Sequence, residues 1–304
     1  MLENPNLDTL QHILDSVHFD ARFFANPTFC SHWQAGPDQP MAAFHLVGEG
    51  RCYLHLAKQP PLLLDGGDVV VLLKPLQHKM SSEAKLSEQD FVAPERPLTT
   101  PTTLICGWIR FDLNSPNLLL QSLPDMILIR RCKLTNSDAF DSLLRLLSQE
   151  TRHQDAGSRL VLDKLAGALF VMVLRHYLLS TAAPTGLIAA LTDPRLQPVL
   201  AAMHEELGRN WRLEELAQKA CMSRSAFAAH FKETLGMTPG TYLTHWRMTQ
   251  ARLWLGDSRY SVPRIAEHLG YSSEAAFRRA FKRCCGESPG RVRREARNAS
   301  SLAA

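Results

Sequence analysis

Apolar positions change rhythm along the chain. Between Phe44 and Leu56 apolar and polar residues mix around Gly48, Gly50 and Arg51, which predicts two strands about a turn. Leu62 to Leu64, the run Asp65, Gly66, Gly67, Asp68, and Val69 to Leu73 read as strand, tight turn, strand; Leu104 to Phe111 reads as another strand. Short strands at such spacing predict a small β-barrel or sandwich. The period then lengthens to that of helices over Asp138 to Thr151 and Ser158 to Leu179. In the second helix Leu162, Leu165, Leu169, Val173 and His176 share one side, and Leu165 to Leu174 is apolar almost all round. Such a helix must be buried, either on its own chain or in a seam between two copies, and the pattern leaves both open. Flanked by Lys164 and Arg175, the run is too short to span a bilayer.

The C-terminal third carries a repeat. Leu216, Ala217, Ala220, Met222 and Ser223, then Phe227, Phe231, Lys232, Gly236 and Pro239, recur as Ile265, Ala266, Leu269, Tyr271 and Ser272, then Phe277, Phe281, Lys282, Gly286 and Pro289. The offset is 49 in the first part and 50 in the second, so one residue is added where the second helix of the later copy begins. Each copy reads as a helix-turn-helix. Ala217 and Ala266 let a second helix cross closely, and Ser223 and Ser272 or Ser273 are placed to cap it. The phenylalanines sit four apart on one face, and Gly236 and Gly286 mark the C-termini, each with Pro three residues on.

The opposite face of each second helix is left free for a DNA groove. It offers Arg224, Ser225, Ala228 and Ala229 in the first copy and Glu274, Ala275, Arg278 and Arg279 in the second. Base contacts come from the N-terminal part of such a helix, so the candidate DNA-binding residues are Arg224, Ser225, Ala228, Glu274, Arg278 and Arg279. Arg278 and Arg279 lead, because a guanidinium pairs bidentately with guanine or phosphate. Residues 239–255 predict a connecting helix of about 24 Å, which can hold two recognition helices about one DNA turn apart.

On these residues, and above all on Gly270 to Arg283 followed by Gly286 and Pro289, the chain resembles the AraC/XylS family of bacterial transcription regulators over residues 190–296. The resemblance implies paired helix-turn-helix subdomains joined by a long helix, double-stranded promoter DNA and RNA polymerase as partners, a homodimer, and an activator rather than a repressor. One departure is Cys221, at a turn where Gly is common and where Gly270 keeps it in the second copy. If that turn is left-handed, cysteine there costs about 1 kcal/mol relative to glycine.

Charge divides the chain in the same way. Residues 187–304 hold 18 Lys and Arg against 11 Asp and Glu, a net of +7, whereas residues 1–186 are at −3, so the overall +4 hides a basic half and a slightly acidic one. The 304 residues suffice for two cores. Gly67, Asp68 and the run to Pro75 and His78 resemble the cupin-type barrel that many family members carry. The expected fold class is therefore a mostly β cupin-like N-terminal barrel plus helices, followed by an all-α double helix-turn-helix. The expected division is residues 1–132 as sensor, 133–183 as helical dimerisation region and connector, and 190–297 as DNA-binding domain, with Thr181 to Gly186 as the linker. Met1 to Leu10 has neither the basic start nor the apolar stretch of a secretory signal, so the expected location is the cytoplasm, with no membrane association.

What the N-terminal half senses is the open question. His45, His55 and His78 are candidate metal ligands, but a paired His-x-His with a nearby Glu is absent. No metal, cofactor or catalytic residue is expected, which weighs against a metal-dependent cupin enzyme; an architectural DNA binder would lack the apolar and Ser side chains of the first recognition helix. The seven cysteines form no Cys-x-x-Cys pair. Cys106 lies in an apolar strand and Cys30 in a loop two residues from His32, which favours the thiolate. The whole chain is similar to a subgroup containing activators that respond to reactive chlorine and other oxidants through N-terminal cysteines, and this resemblance makes Cys106 and Cys30 candidate redox sensors. The alternatives are a small ligand held in the barrel and cysteines that serve only as buried apolar filler.

Overall fold

A computed structural model describes residues 19–25, 27–31, 34–37, 41–86, 97–111, 118–133, 138–153, 155–181, 184–257 and 259–302. The chain divides into two compact bodies. Of the described residues, those within Phe19–Phe111 and Leu123–Ser180 form the N-terminal body; Leu118–Ser122 and those from Thr181 onward belong to the C-terminal one.

The N-terminal body is a two-sheet sandwich. Its larger sheet has the order β1 (Phe19–Ala25), β9 (Pro97–Phe111), β4 (Met41–Glu49), β7 (Val69–Leu76), β10 (Met126–Ile129), with β2 (Thr28–Ser31) also paired to β9. The smaller runs β3 (Gln34–Ala35), β8 (His78–Ser81), β5 (Arg51–Leu56), β6 (Leu62–Asp65). All the pairings are antiparallel. Val47, Val70, Leu72, Leu104 and Cys106 from the larger sheet share one core with Cys52, Leu54, Leu64 and Met80 from the smaller.

Two expectations are corrected here. Among the described residues no ladder joins the sheets, so the cupin-like architecture is an open sandwich rather than a closed barrel. The tight turns at Gly50 and at Asp65–Asp68 do not make hairpins either. Each is a corner: β4 pairs β7 and β9 while β5 pairs β6 and β8, so the chain changes sheets at both turns. The corner at Asp68 is tied by its buried carboxylate, which accepts from the backbone N–H of Asp65 at 3.1 Å and of Arg131 at 3.0 Å and from Arg130 Nη1 at 2.6 Å.

β7 is buried along Val69–Leu73, which explains its unbroken apolar run: the strand has protein on both faces. The outer face of the larger sheet is covered by α3 (Ser158–Ser180), where Phe170 meets Phe19 at 4.6 Å and Phe111 at 5.6 Å between ring centroids. α3 also packs on α2 (Asp138–His153). Leu162, Leu169 and Val173 are buried as expected, while Leu165 and His176 are half-buried and Val161 and Ala168 exposed. No helix among the described residues is long and apolar enough to cross a membrane.

The C-terminal body is helical. A five-residue helix, α1 (Leu118–Ser122), leaves the N-terminal body's run of sequence and packs on α4 (Gly186–Thr192). Ser122 Oγ accepts the Leu187 N–H at 3.0 Å, and Leu119, Leu187 and Ile188 are buried. Then come α5 (Gln197–Glu205), α6 (Leu213–Lys219), α7 (Arg224–Leu235), α8 (Pro239–Gly256), α9 (Val262–His268), α10 (Glu274–Cys285) and α11 (Pro289–Leu302).

Candidate nucleic-acid interface and buried thiol

The repeat folds as two helix-turn-helix units, α6–α7 and α9–α10, with α8 between them. Ser223 Oγ accepts the Ala226 N–H at 3.3 Å, and Ser273, not Ser272, caps α10 by accepting from Ala276 at 3.2 Å. Gly236 (φ 72°) and Gly286 (φ 76°) end the helices in the left-handed conformation. Phe227, Phe231, Phe277 and Phe281 are fully buried, so the inner face of each recognition helix is fixed by packing and the outer face is free. α8 has 18 residues, a span of about 27 Å.

Arg224, Ser225 and Ala229 are exposed on α7, whereas Ala228 is half-buried and offers less. Arg224 reaches back to Glu214 of α6 at 3.0 Å. On α10, Arg278 and Arg279 are exposed and Glu274 is half-buried. Arg278 Nε donates to Glu274 Oε1 at 2.6 Å, one helical turn away, while Arg279 has no ion pair among the described residues. Arg279 is therefore exposed and placed to meet a base or phosphate. Farther along, Arg293 donates to the Tyr260 carbonyl and so serves the fold, while Arg291, in surface pairs with Glu295 and Glu287, and Arg294 are exposed.

At the first turn Cys221 has φ 52°, the left-handed conformation that its glycine counterpart Gly270 adopts at 73°. Cys221→Gly is accordingly expected to stabilise the C-terminal body by about 1 kcal/mol. Thermal unfolding of the full chain checks this; an unchanged or lower midpoint for that body would remove the strain.

α7 is also gripped from outside the repeat. His230 Nε2 lies 2.5 Å from Asp193 Oδ2, and Asp193 Oδ1 accepts the N–H of Arg195 at 2.8 Å just ahead of α5. These hydrogen bonds hold the Asp193 carboxyl below its usual range against the opposing effect of burial. A contact sequence thus runs from α1 to α4 to the first recognition helix.

In the N-terminal body the structure brings His45, His78 and Cys106 together and leaves His55 apart. His55 Nε2 is 2.8 Å from Ser81 Oγ, near the surface. His45 and Cys106 are register partners on β4 and β9. His45 Nδ1 lies 3.1 Å from Cys106 Sγ, His45 Nε2 lies 2.8 Å from His78 Nε2, and His78 Nδ1 lies 2.9 Å from the Leu76 carbonyl. A carbonyl only accepts, so His78 Nδ1 carries a proton and its Nε2, in the neutral ring, accepts. His45 Nε2 must then donate, which leaves His45 Nδ1 as acceptor and makes the Cys106 thiol the donor at the chain's head.

Burial keeps every member neutral. It pushes His45 down to about 3, aided by neighbouring His78, and lowers His78 as well. The Cys106 thiol is pushed up to about 12, with a smaller contribution from Cys52. Because His45 uses opposite ring nitrogens toward His78 and Cys106, the three do not converge on one point. Among the described residues no group of three or more His, Cys, Asp and Glu could hold a metal ion.

Cys30 lies in β2 rather than in a loop, and its side chain and His32 lie outside the described residues. Its neighbours Phe29 and Ser31 pair with Thr102 and Pro97, so Cys30 is at least four residues along β9 from Cys106. At about 3.3 Å per residue that separation is about 13 Å, beyond the 7 Å Cα limit of a disulfide. Sequence reading passed over Cys52, the thiol that shares the sandwich core with Cys106. It also weighed His45 only as a metal ligand, because its pairing with Cys106 depends on the register of two strands far apart in sequence.

Comparison with known proteins agrees with this two-part architecture. Residues 8–179 match a family model described as Cupin, and residues 216–295 match one described as Helix-turn-helix domain. An uncharacterized HTH-type transcriptional regulator of Haemophilus influenzae is 33% identical over 279 residues, covering 88% of this chain and 91% of that one. A putative AraC-like transcription regulator of Streptomyces antibioticus is 30% identical, covering 95% and 99%. The RCS-specific HTH-type transcriptional activator RclR of Escherichia coli is 28% identical, covering 88% and 90%.

Proposed function

Because this chain belongs to the AraC-like family of DNA-binding transcription regulators, we propose that α7 and α10 enter successive major grooves of one promoter site and that the N-terminal body controls how they are held. The observation that carries this reading is the pair of capped recognition helices, each buried on its phenylalanine face and open on the other. Residues 1–132 serve as sensor, 133–183 as dimer region and 190–297 as reader, although α1 folds with the reader. The protein acts in the cytoplasm, is not an enzyme, and activates transcription with RNA polymerase as partner.

Arg279→Ala is expected to lower affinity for a DNA site selected by the full chain by about 1–3 kcal/mol, or about 5- to 150-fold. Arg278→Ala costs less, since Glu274 already holds that guanidinium. A fluorescence titration with unchanged affinity for both variants would remove α10 from the DNA interface.

We assign the sensor to Cys106, because its thiol heads a buried hydrogen-bond chain that runs through His45 to His78. RclR is named as specific for RCS, and the matching chemistry here uses hypochlorous acid. The sulfur attacks chlorine, the S–Cl bond forms as the O–Cl bond breaks, and the departing hydroxide takes the thiol proton, giving water. Mild hypochlorous acid is expected to change DNA affinity or footprint with Cys106 modified first by mass spectrometry, and Cys106→Ser is expected to abolish the response. If binding is indifferent to oxidant, the effector is a reversible ligand. Its room lies outside the filled core, in clefts of about 320 Å³ beside Phe23, Asp155 and Arg159 and about 290 Å³ beside Gly48, Arg131 and Arg145.

The homodimer closes on the outward stripe of α3, where Val161, Leu165, Ala168 and Met172 follow at spacings of four, three and four. Sedimentation of the full chain checks it, a monomer at micromolar concentration counting against the seam.

A further inference from the structure

The two helix-turn-helix units touch through more than α8. Between α5 and α6, the segment Leu207–Arg209 of the first unit is docked on the second. The Leu207 side chain packs against the core built from Leu255, Ile265, Leu269 and Phe277. Arg247, on α8, donates through Nε to the Leu207 carbonyl at 2.6 Å and through Nη2 to the Arg209 carbonyl at 2.9 Å, with its guanidinium 5.9 Å from the Tyr271 ring centroid. Gly208 between them has no room for a side chain, because a Cβ would lie 2.6 Å from the His268 carbonyl oxygen. Gly270, at the turn of the second unit, is equally enclosed: a Cβ there would lie 2.1 Å from the Gly208 carbonyl oxygen, and its φ is 73°.

We infer that Arg247, with the Gly208–Gly270 backbone contact, is the specificity element that fixes the distance between the two recognition helices and so sets the base-pair spacing the protein accepts between its half-sites. The inference rests on the proposed reading of two successive grooves by α7 and α10. A single 18-residue helix fixes the length of the connection. It leaves each unit able to pivot about its own end of α8. The docked segment removes that freedom, since a pivot of the second unit would pull its core from Leu207 and a pivot of the first would part the Leu207 and Arg209 carbonyls from a fixed, planar donor set. Arg247 acts on DNA through these contacts and is a positioning residue.

The test uses the full chain and a two-half-site DNA selected from random sequence by the unaltered protein, with spacers one base pair longer and shorter and a DNA carrying the second half-site alone. The unaltered chain is expected to lose at least tenfold in affinity at either altered spacing. Arg247→Met is expected to bind the selected spacing about fivefold more weakly, to bind the single half-site unchanged, and to respond less than about twofold to spacing. Gly208→Ala, which leaves Arg247 in place, is expected to flatten the profile in the same way, and covers the case in which Arg247→Met does not fold. A variant that binds more weakly everywhere but keeps the tenfold spacing penalty would overturn the inference, since that is what a purely stabilising role produces. Unchanged affinity of both Arg278→Ala and Arg279→Ala, or no selected site with two halves, would instead count against the underlying reading of the DNA interface.

Discussion

Phe277→Ala is expected to destabilise the second helix-turn-helix by about 3–5 kcal/mol, the cost of removing a fully buried ring. The side chain is fully buried, meeting Tyr271 edge-on at 5.6 Å and Phe281 at 5.7 Å between centroids, and it joins α9, α10 and α8 in one core. Neighbouring Leu255, Ile265 and Phe281 come from three different helices, so none can move in to fill the space without unseating its own helix. Since a domain holds about 5–15 kcal/mol in total, the loss takes a large share of what holds α10 in place. Hydrogen exchange of the full chain is the measurement. Protection should fall across residues 262–285 and persist in β4, β7 and β9; a loss below about 1 kcal/mol would show that the ring is not the keystone of this core.

Asp68→Ala is expected to cost the N-terminal body about 3–5 kcal/mol, because it strands a partner of a buried ion pair. The Asp68 side chain is 4% exposed and Arg130 25% exposed, and the same carboxylate satisfies two backbone N–H groups at the corner between the sheets. Its removal leaves the Asp65 and Arg131 N–H groups without this acceptor and Arg130 with only the Leu63 carbonyl, where water reaches poorly. The pair Lys74–Asp125 provides the contrast. With side chains 60% and 56% exposed, it is screened by solvent, and Asp125→Ala should cost less than about 1 kcal/mol. Urea denaturation of both variants checks the ordering; equal losses would mean that the corner is held by its backbone rather than by Asp68.

The parts legible in the sequence are those whose physics is local. Ser223, Phe227, Phe231 and Gly236 announce α7 because caps, i to i+4 packing and left-handed termini act within a dozen residues, and repetition of the set at Ser273 to Gly286 doubles the signal. Even the strain at Cys221 could be anticipated from its glycine counterpart. What escaped depends on distant partners. The turn at Gly66 and Gly67 has the composition of a hairpin, but the choice between folding back and crossing to the other sheet is made by β4 and β5, which lie in different sheets and take β7 and β6 as their partners. Leu118–Ser122 is too short and too leucine-rich to declare which core it enters. At the candidate sites, Arg279 could be singled out by type, yet the engagement of Arg278 by Glu274 needed side-chain geometry. Cys106 entered through resemblance, while its hydrogen-bond chain through His45 and His78 emerged only once two strands were in register.

The small helix α1 bears on how such proteins can be recombined. Its sequence neighbours, Phe111 before and Leu123 after, belong to one body, but its side chains are seated on α4 of the other, where Ser122 receives the Leu187 N–H. A single crossover near residue 181 would therefore graft a foreign reader beneath a leucine pair selected for a different α4. Exchange of whole DNA-reading modules between lineages would have to be accompanied by compensating change in five residues encoded some 60 codons upstream. Inheritance here favours sensor and reader travelling together, and a gene fusion that ignores the strap starts life with mismatched halves.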